Sequence, residues 1–192
     1  AWLARFFEQR GNVVIRTYEP GATSVGSALR KILLDYRDGG SEPLAAATEL
    51  FLFLADRAQH VTEIIQPALA RGEIVICDRC VGSTLAYQGG GRTIDDDALL
   101  LTMNSFATNG LVPDIVFYLD IDPRIGLARK QKQDSGNLNR LDREDLAFHD
   151  RARASFQQLA QKNKNWVTFD ASQSIEKVEQ NILDIFNSHE YS

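Results

Sequence analysis

Apolar positions along this chain follow two rhythms, short β-branched runs and longer stretches in which apolar residues recur every three or four positions. The short runs at residues 12–17 (NVVIRT), 74–77 (IVIC), 114–121 (DIVFYLDI) and 166–169 (WVTF) predict four strands. The helical rhythm appears first at residues 1–12, where Leu3, Phe6, Phe7 and Arg10 share a face and Gly11 supplies the stop. It returns at 24–35 through Val25, Leu29, Ile32 and Leu33. At 48–65 it runs through Leu50, Leu54, Ala58, Val61 and Ile65, with a short continuation from Pro67 to Gly72. Further helices are predicted at 95–108, after Asp122 as cap with Pro123 in the first turn, at 142–162 and at 174–186. Residues 36–43 read as a glycine-containing loop. Strands separated by helices require crossover connections, so the pattern predicts an α/β domain, a parallel sheet with helices on both faces. Such sheets place ligands at the carboxyl ends of their strands. With no repeat or linker, residues 1–192 are expected to form one domain.

Composition narrows the function classes. A net charge of −5 and a pI near 5.2 argue against general binding to nucleic acid or to a membrane surface. No apolar run approaches membrane-spanning length and no signal peptide is visible; for the two cysteines a reducing, cytoplasmic location is the expectation. Cys77 and Cys80 form a C-x-x-C pair, which could be redox-active or half of a zinc site, but no second cysteine pair accompanies it. The first residue is Ala and the only methionine is Met103, so the sequence is expected to lack part of the translated polypeptide.

Four stretches carry candidate chemistry. The run 73–92 (EIVICDRCVGSTLAYQGGGR) delivers Asp78 and Arg79 at a strand end, where a carboxylate can hold hydrated Mg²⁺ and a guanidinium can grip phosphate. Gly89, Gly90 and Gly91 suggest a flexible closing turn. The same run also reads as a strand end with a surface ion pair and a glycine loop. In 17–30 (TYEPGATSVGSALR) a sharp Glu-Pro-Gly turn precedes a helix that brings Arg30 back toward the strand ends, an arrangement that strand-turn-helix junctions more often show for purely structural reasons. In 49–60 (ELFLFLADRAQH) Phe53 and Arg57 share a helix face, so a flat base could stack on the ring while the guanidinium reaches its edge, or the pair could be core beside a solvated charge. In 127–145, Arg129, Lys130, Lys132, Arg140 and Arg143 flank a Ser-Gly-Asn loop, either as a basic cover that closes over polyphosphate or as a solvated helix end.

Taken in order, these stretches resemble thymidylate kinase over nearly the entire chain. The resemblance rests on the EPG turn, the FLADRAQH helix, DR-x₃-S-x₂-AYQGGGR, NGL-x-PD and RLD-x-EDL-x-FH. It implies a nucleoside-monophosphate-kinase type of P-loop fold with a five-stranded parallel sheet, usually a homodimer, that phosphorylates dTMP with ATP and Mg²⁺. It further implies that Phe53 stacks on thymine, Arg57 bonds the base edge, Thr84 and Gln88 read or line the base pocket, and Tyr87 crowds the sugar 2′ position. Arg79, helped by Arg30, would hold the acceptor phosphate and Glu19 would line that site. Asp78 would hold the metal through water, and Arg140, with Arg129 or Arg143, would act as lid arginine within a lid near 129–143. Ser172 and Gln173 would border adenine, and the Glu19–Pro20 bond would be cis.

Some positions depart from the family pattern. None of the thirteen glycines is followed by lysine, so the G-x-x-x-x-G-K-[ST] phosphate loop is not in this sequence. In the family that loop lies about twenty residues ahead of the point matched by Ala1, and upstream residues are therefore expected. Tyr18 stands where arginine is common, Cys80 where an aromatic residue or histidine is usual, and Ala22 where glycine is usual. Two function classes follow: an active dTMP kinase, or a non-catalytic relative that binds nucleotide or dimerises. The apolar 44–58 region is the expected dimer face.

Overall fold

The computed structural model describes residues 2–35, 44–133 and 138–187. The predicted loop at 36–43 and the Ser-Gly-Asn segment of the basic stretch lie outside these residues. Helix α1 (Trp2–Glu8) leads through Gly11, at φ +86°, into β1 (Val14–Tyr18), followed by α2 (Ser24–Leu34). The start of α2 is fixed by Thr23, whose hydroxyl accepts from the Gly26 N–H. The long predicted helix is α3 (Ala46–His60), continued through a π-helical turn (Val61–Ile65) into α4 (Gln66–Ala70). Strand β2 (Ile74–Asp78) leads into α5 (Val81–Thr84) and a second π turn (Leu85–Gly91). Then come α6 (Asp97–Ala107), β3 (Val116–Asp120), α7 (Pro123–Gln133), a 3₁₀ turn (Leu141–Arg143), α8 (Leu146–Lys162), β4 (Trp166–Asp170) and α9 (Ile175–Asn187).

Two expectations need correction. The helix expected from 142 starts at Leu146, because the Asp145 carboxylate accepts from Phe148 N–H and caps it there, leaving 141–143 as a separate turn. The glycine run 89–91 is not a flexible turn. It is helical and packed against α8, where a Cβ on Gly91 would meet the Phe148 ring at 2.6 Å and one on Gly90 would meet Ser155 at 2.7 Å. Glycine is required there by close approach rather than by mobility.

The four described strands form two parallel pairs, β1 with β2 and β3 with β4, where the resemblance implied one five-stranded sheet. Between the pairs lies a cleft of about 1880 Å³ lined by Ile74–Cys77 on one side and Ile115–Leu119 on the other. The α/β class and the parallel direction match the sequence pattern. One apolar core, Leu50, Leu54, Leu85, Leu100 and Ala107, joins α3, α6 and the π turn after α5. Phe6, Phe7, Phe117, Phe169 and Phe186 knit α1 and α9 to the β3–β4 pair. No helix among the described residues is long and apolar enough to cross a membrane.

Candidate functional site

The site is built on α3. Residues four apart on a helix stand one turn above each other, so Glu49, Phe53 and Arg57 form one stripe. Facing it are Thr84 and Gln88, also four apart, on α5 and its π turn. Two rungs connect the helices: Arg57 Nη1 donates to Thr84 Oγ1 at 2.7 Å, and Gln88 Nε2 donates to Glu49 Oε1 at 2.8 Å. Phe53, half-buried between the rungs, stacks on no other ring among the described residues.

Both ends of the stripe are held by buried charge. Arg57, 1% exposed, gives Nε and Nη2 to Glu19 Oε2 at 2.9 and 2.7 Å, and Nη1 also reaches Asn104 Oδ1 at 2.6 Å. Four of its five N–H donors are thereby used. The other Glu19 oxygen lies 3.0 Å from His60 Nδ1, and His60 Nε2 lies 2.6 Å from Thr17 Oγ1. Glu19, expected to line the acceptor site, is instead internal in this structure, with its oxygens taken by Arg57 and His60. The Glu19–Pro20 bond is cis. Asp56 accepts from Gly21 N–H at 2.9 Å, and burial, with Glu19 nearby, pushes its carboxyl above the ordinary range. At the other end, Glu49 is fully buried and accepts from Gln88, Arg92 and Arg140. Burial pulls its carboxyl upward, but the hydrogen bonds from Arg92, Gln88 and Arg140 together outweigh it and leave the group below the usual range.

Arg140, expected to act as lid arginine, is held by α3 and by the end of α2. Its Nη2 reaches Glu49 at 2.6 Å, its Nε donates to Leu33 O and its backbone N–H to Leu34 O, which fastens the 138–143 segment onto the end of α2. Arg143 donates to Leu138 O. Arg129 lies elsewhere, donating to Ala171 O at 2.6 Å and Ser172 O at 2.8 Å. Asp170 in turn accepts from Ser172 N and Gln173 Nε2. Beside this loop, at the carboxyl ends of β3 and β4, a cavity of about 410 Å³ is lined by Asp120, Asp122, Ile125, Arg153, Asp170 and Ser172.

Asp78 and Arg79 end β2 as predicted, and both are exposed. Asp78 accepts no side-chain hydrogen bond among the described residues. Arg79 sits at φ +71°, a left-handed conformation unfavourable for a residue with a Cβ, and its guanidinium lies 5.4 Å from the Tyr87 ring centroid. The Cys77 thiol donates to the Arg79 carbonyl. Tyr87 is itself set by Phe148, stacked at 6.0 Å, and Phe156, edge-on at 5.7 Å. Arg30 donates to Pro20 O at 2.7 Å and lies 5.8 Å from the Tyr18 ring centroid, so Tyr18 packs the turn rather than adding charge to it.

Glu19, His60 and Cys77 bring one ligand atom each within 4.8 Å of one another. The set is unsuited to a metal ion, because the carboxylate already bonds Arg57 and both imidazole nitrogens have partners. Burial pushes the Cys77 thiol far above its usual value, against the thiolate a metal requires. Cys77 and Cys80 are free thiols.

Sequence reasoning missed Glu49, His60, Arg92 and Asn104. The available signal was a polar residue in an apolar stripe: Asn104 stands between Leu100 and Ala107 on the buried face of α6.

The thymidylate kinase family model matches residues 1–182. Among curated relatives, the chain is 45% identical over 183 residues to the thymidylate kinase of Desulfovibrio desulfuricans, covering 92% of this chain and 82% of that protein. It is 46% identical over 172 residues to the enzyme of that name from Trichodesmium erythraeum, covering 90% and 75%. With the one from Latilactobacillus sakei it shares 41% over 186 residues, covering 96% and 85%.

Proposed function

The chain belongs to the thymidylate kinase family, and from that premise we propose that it transfers the γ-phosphoryl group of ATP to dTMP, giving dTDP and ADP. The observation that carries the proposal is the stripe Glu49–Phe53–Arg57 facing Thr84 and Gln88. It supplies an apolar ring able to stack on a base, with polar groups one turn to either side. Phe53 stacks on thymine, while Arg57, Thr84 and Gln88 meet its polar edge. Tyr87, wedged by Phe148 and Phe156, stands against the sugar and favours deoxyribose.

Arg79 grips the acceptor phosphate with Arg30 nearby, and its left-handed backbone turns the guanidinium back over Tyr87. In the reaction a phosphate oxygen of dTMP bonds to the γ-phosphorus as the bond from that phosphorus to the β,γ-bridging oxygen breaks, and ADP departs. Positioning and charge stabilisation suffice, since the acceptor phosphate is already a nucleophile. The exposed, unbonded Asp78 carboxylate fits a hydrated Mg²⁺, which when bound neutralises charge on the phosphate oxygens. Arg129, Ser172 and Gln173 surround the donor base beside the cavity at the β3–β4 ends. The 129–143 segment serves as the lid, with Arg140 and Arg143 on its inner limb. We also propose a homodimer through the 44–58 region, where Phe51 is 59% exposed, and a cytoplasmic location.

The test is ADP release from Mg·ATP by the full-length protein with dTMP, dUMP, dCMP and AMP as acceptors. Turnover strongest with dTMP is expected. No turnover with any acceptor, from folded protein, overturns the proposal in favour of a non-catalytic nucleotide-binding relative.

A further inference from the structure

Glu49 is fully buried and gathers three donors, Gln88, Arg92 and Arg140. An ionised carboxylate can only accept hydrogen bonds. Whatever touches it must turn a donor toward it, so the Gln88 carbamoyl group has one permitted orientation, Nε2 on Glu49 and Oε1 on the opposite side. The surrounding arginines keep that carboxylate ionised, as Arg92 is held both by Glu49 and by Glu144. Gln88 is 2% exposed, and its Oε1 accepts no hydrogen bond among the described residues. With Nε2 taken by Glu49, this amide oxygen is the group the side chain has left to offer a ligand, and it belongs to the rung one turn from the Phe53 ring.

We infer that Glu49 is a positioning residue for base specificity: by fixing the Gln88 amide it presents a carbonyl acceptor to the base, selecting pyrimidines whose ring N3 carries a proton. The inference rests on the acceptor site proposed above. The second buried acid does the complementary work. Glu19, Thr84 and Asn104 hold Arg57 through four of its five N–H groups, so the other rung offers the remaining guanidinium N–H, and an acceptor beside a donor matches the N3–H and O4 edge of thymine or uracil. Cytosine has the opposite polarity, with an unprotonated N3 and a 4-amino group, and would set acceptor against acceptor and donor against donor. If Glu49 could also donate, Gln88 could turn over and the discrimination would fall.

The experiment is calorimetric binding of dTMP, dUMP and dCMP to the full-length wild type, E49Q, E49D and Q88M proteins, each with a thermal melt. The wild type is expected to bind dTMP and dUMP well above dCMP. In E49Q the neutral amide can present either face to Gln88, and the dTMP:dCMP affinity ratio is expected to fall at least ~10-fold. E49D keeps the charge and its arginines but withdraws the acceptor by one methylene, so it is expected to give a smaller fall, and it serves if E49Q does not fold. Q88M is expected to lose the discrimination, and adding E49D to it to change the ratio no further. General loosening would weaken all three nucleotides together and leave the ratio intact. A wild-type ratio retained in whichever Glu49 variant folds overturns the inference alone. A wild type without preference for dTMP overturns the acceptor-site proposal as well.

Discussion

The two ends of the proposed reaction path are built on different principles. On the acceptor side, Glu19, Arg57, Asn104 and Thr84 at one end of the α3 stripe and Glu49, Gln88, Arg92 and Arg140 at the other form interlocked hydrogen bonds, most of them sealed from solvent. On the donor side, Arg129, Ser172 and Gln173 are exposed, Ser172 lines the cavity at the β3–β4 ends, and Arg129 is held by two backbone carbonyls. Buried charges survive only when paired, and once paired they fix geometry. Exposed groups remain free to rearrange around a ligand. The proposed acceptor side is therefore expected to be set before nucleotide arrives, and the proposed donor side to take its final form around it.

The comparison breaks most visibly if a buried partner is removed. Arg57→Met should destabilise the fold by about 3–5 kcal/mol, because it strands Glu19 without its guanidinium. Chemical denaturation reads this directly, and a loss below 1 kcal/mol would mean the network is not a locked unit. Arg79→Ala should leave stability nearly unchanged, since the side chain is exposed, yet reduce kcat/KM by about 10²–10³-fold through loss of one charge-stabilising group. Near-normal turnover removes Arg79 from the site. Phe53→Ala should weaken dTMP binding by about 1–3 kcal/mol, the usual worth of stacking a base on an aromatic ring. An unchanged dissociation constant takes Phe53 out of the base pocket.

The smallest effect is expected on the donor side, at Asp120 and Arg153. The Arg153 guanidinium, with Tyr118 and Gln157 assisting against partial burial, pulls the Asp120 carboxyl down to about 2 from an ordinary 3.8. A depressed carboxyl contributes stability above its unfolded value and loses it as pH falls through the folded one. The contribution is thus complete above about pH 4 and disappears toward pH 2. Arg153→Met should cost about 1 kcal/mol or less at neutral pH and flatten this acid limb. An equally steep loss between pH 4 and 2 in the variant would assign it to other carboxylates.

The same contrast decided what the sequence could reveal. Strands, helices and their order were legible because periodicity records which faces are buried. Asp78 and Arg79 were legible at a strand end and Phe53 on a helix face, whereas Gln88 was given its role through the resemblance alone. Partnership was not legible. Glu49 and Asn104 look like ordinary polar residues until α3, the turn after β2 and α6 converge, and the partners of Glu49 lie 39, 43 and 91 positions away. The partners of Arg140 were hidden for the same reason, since nothing local shows that it reaches back to α3 and to the end of α2. The glycine run was misread because close packing against α8 and flexibility demand the same residue.

The most direct test of this account is amide hydrogen exchange of the full-length protein, alone, with dTMP, and with a non-hydrolysable ATP analogue. The account predicts that amides of α3 and residues 81–91 are already strongly protected in the free protein and change little with dTMP, while residues 171–173 exchange quickly and become protected only with the ATP analogue. Fast exchange across α3 and 81–91 that slows only when dTMP binds would contradict it, because the acceptor side would then be assembled by its ligand.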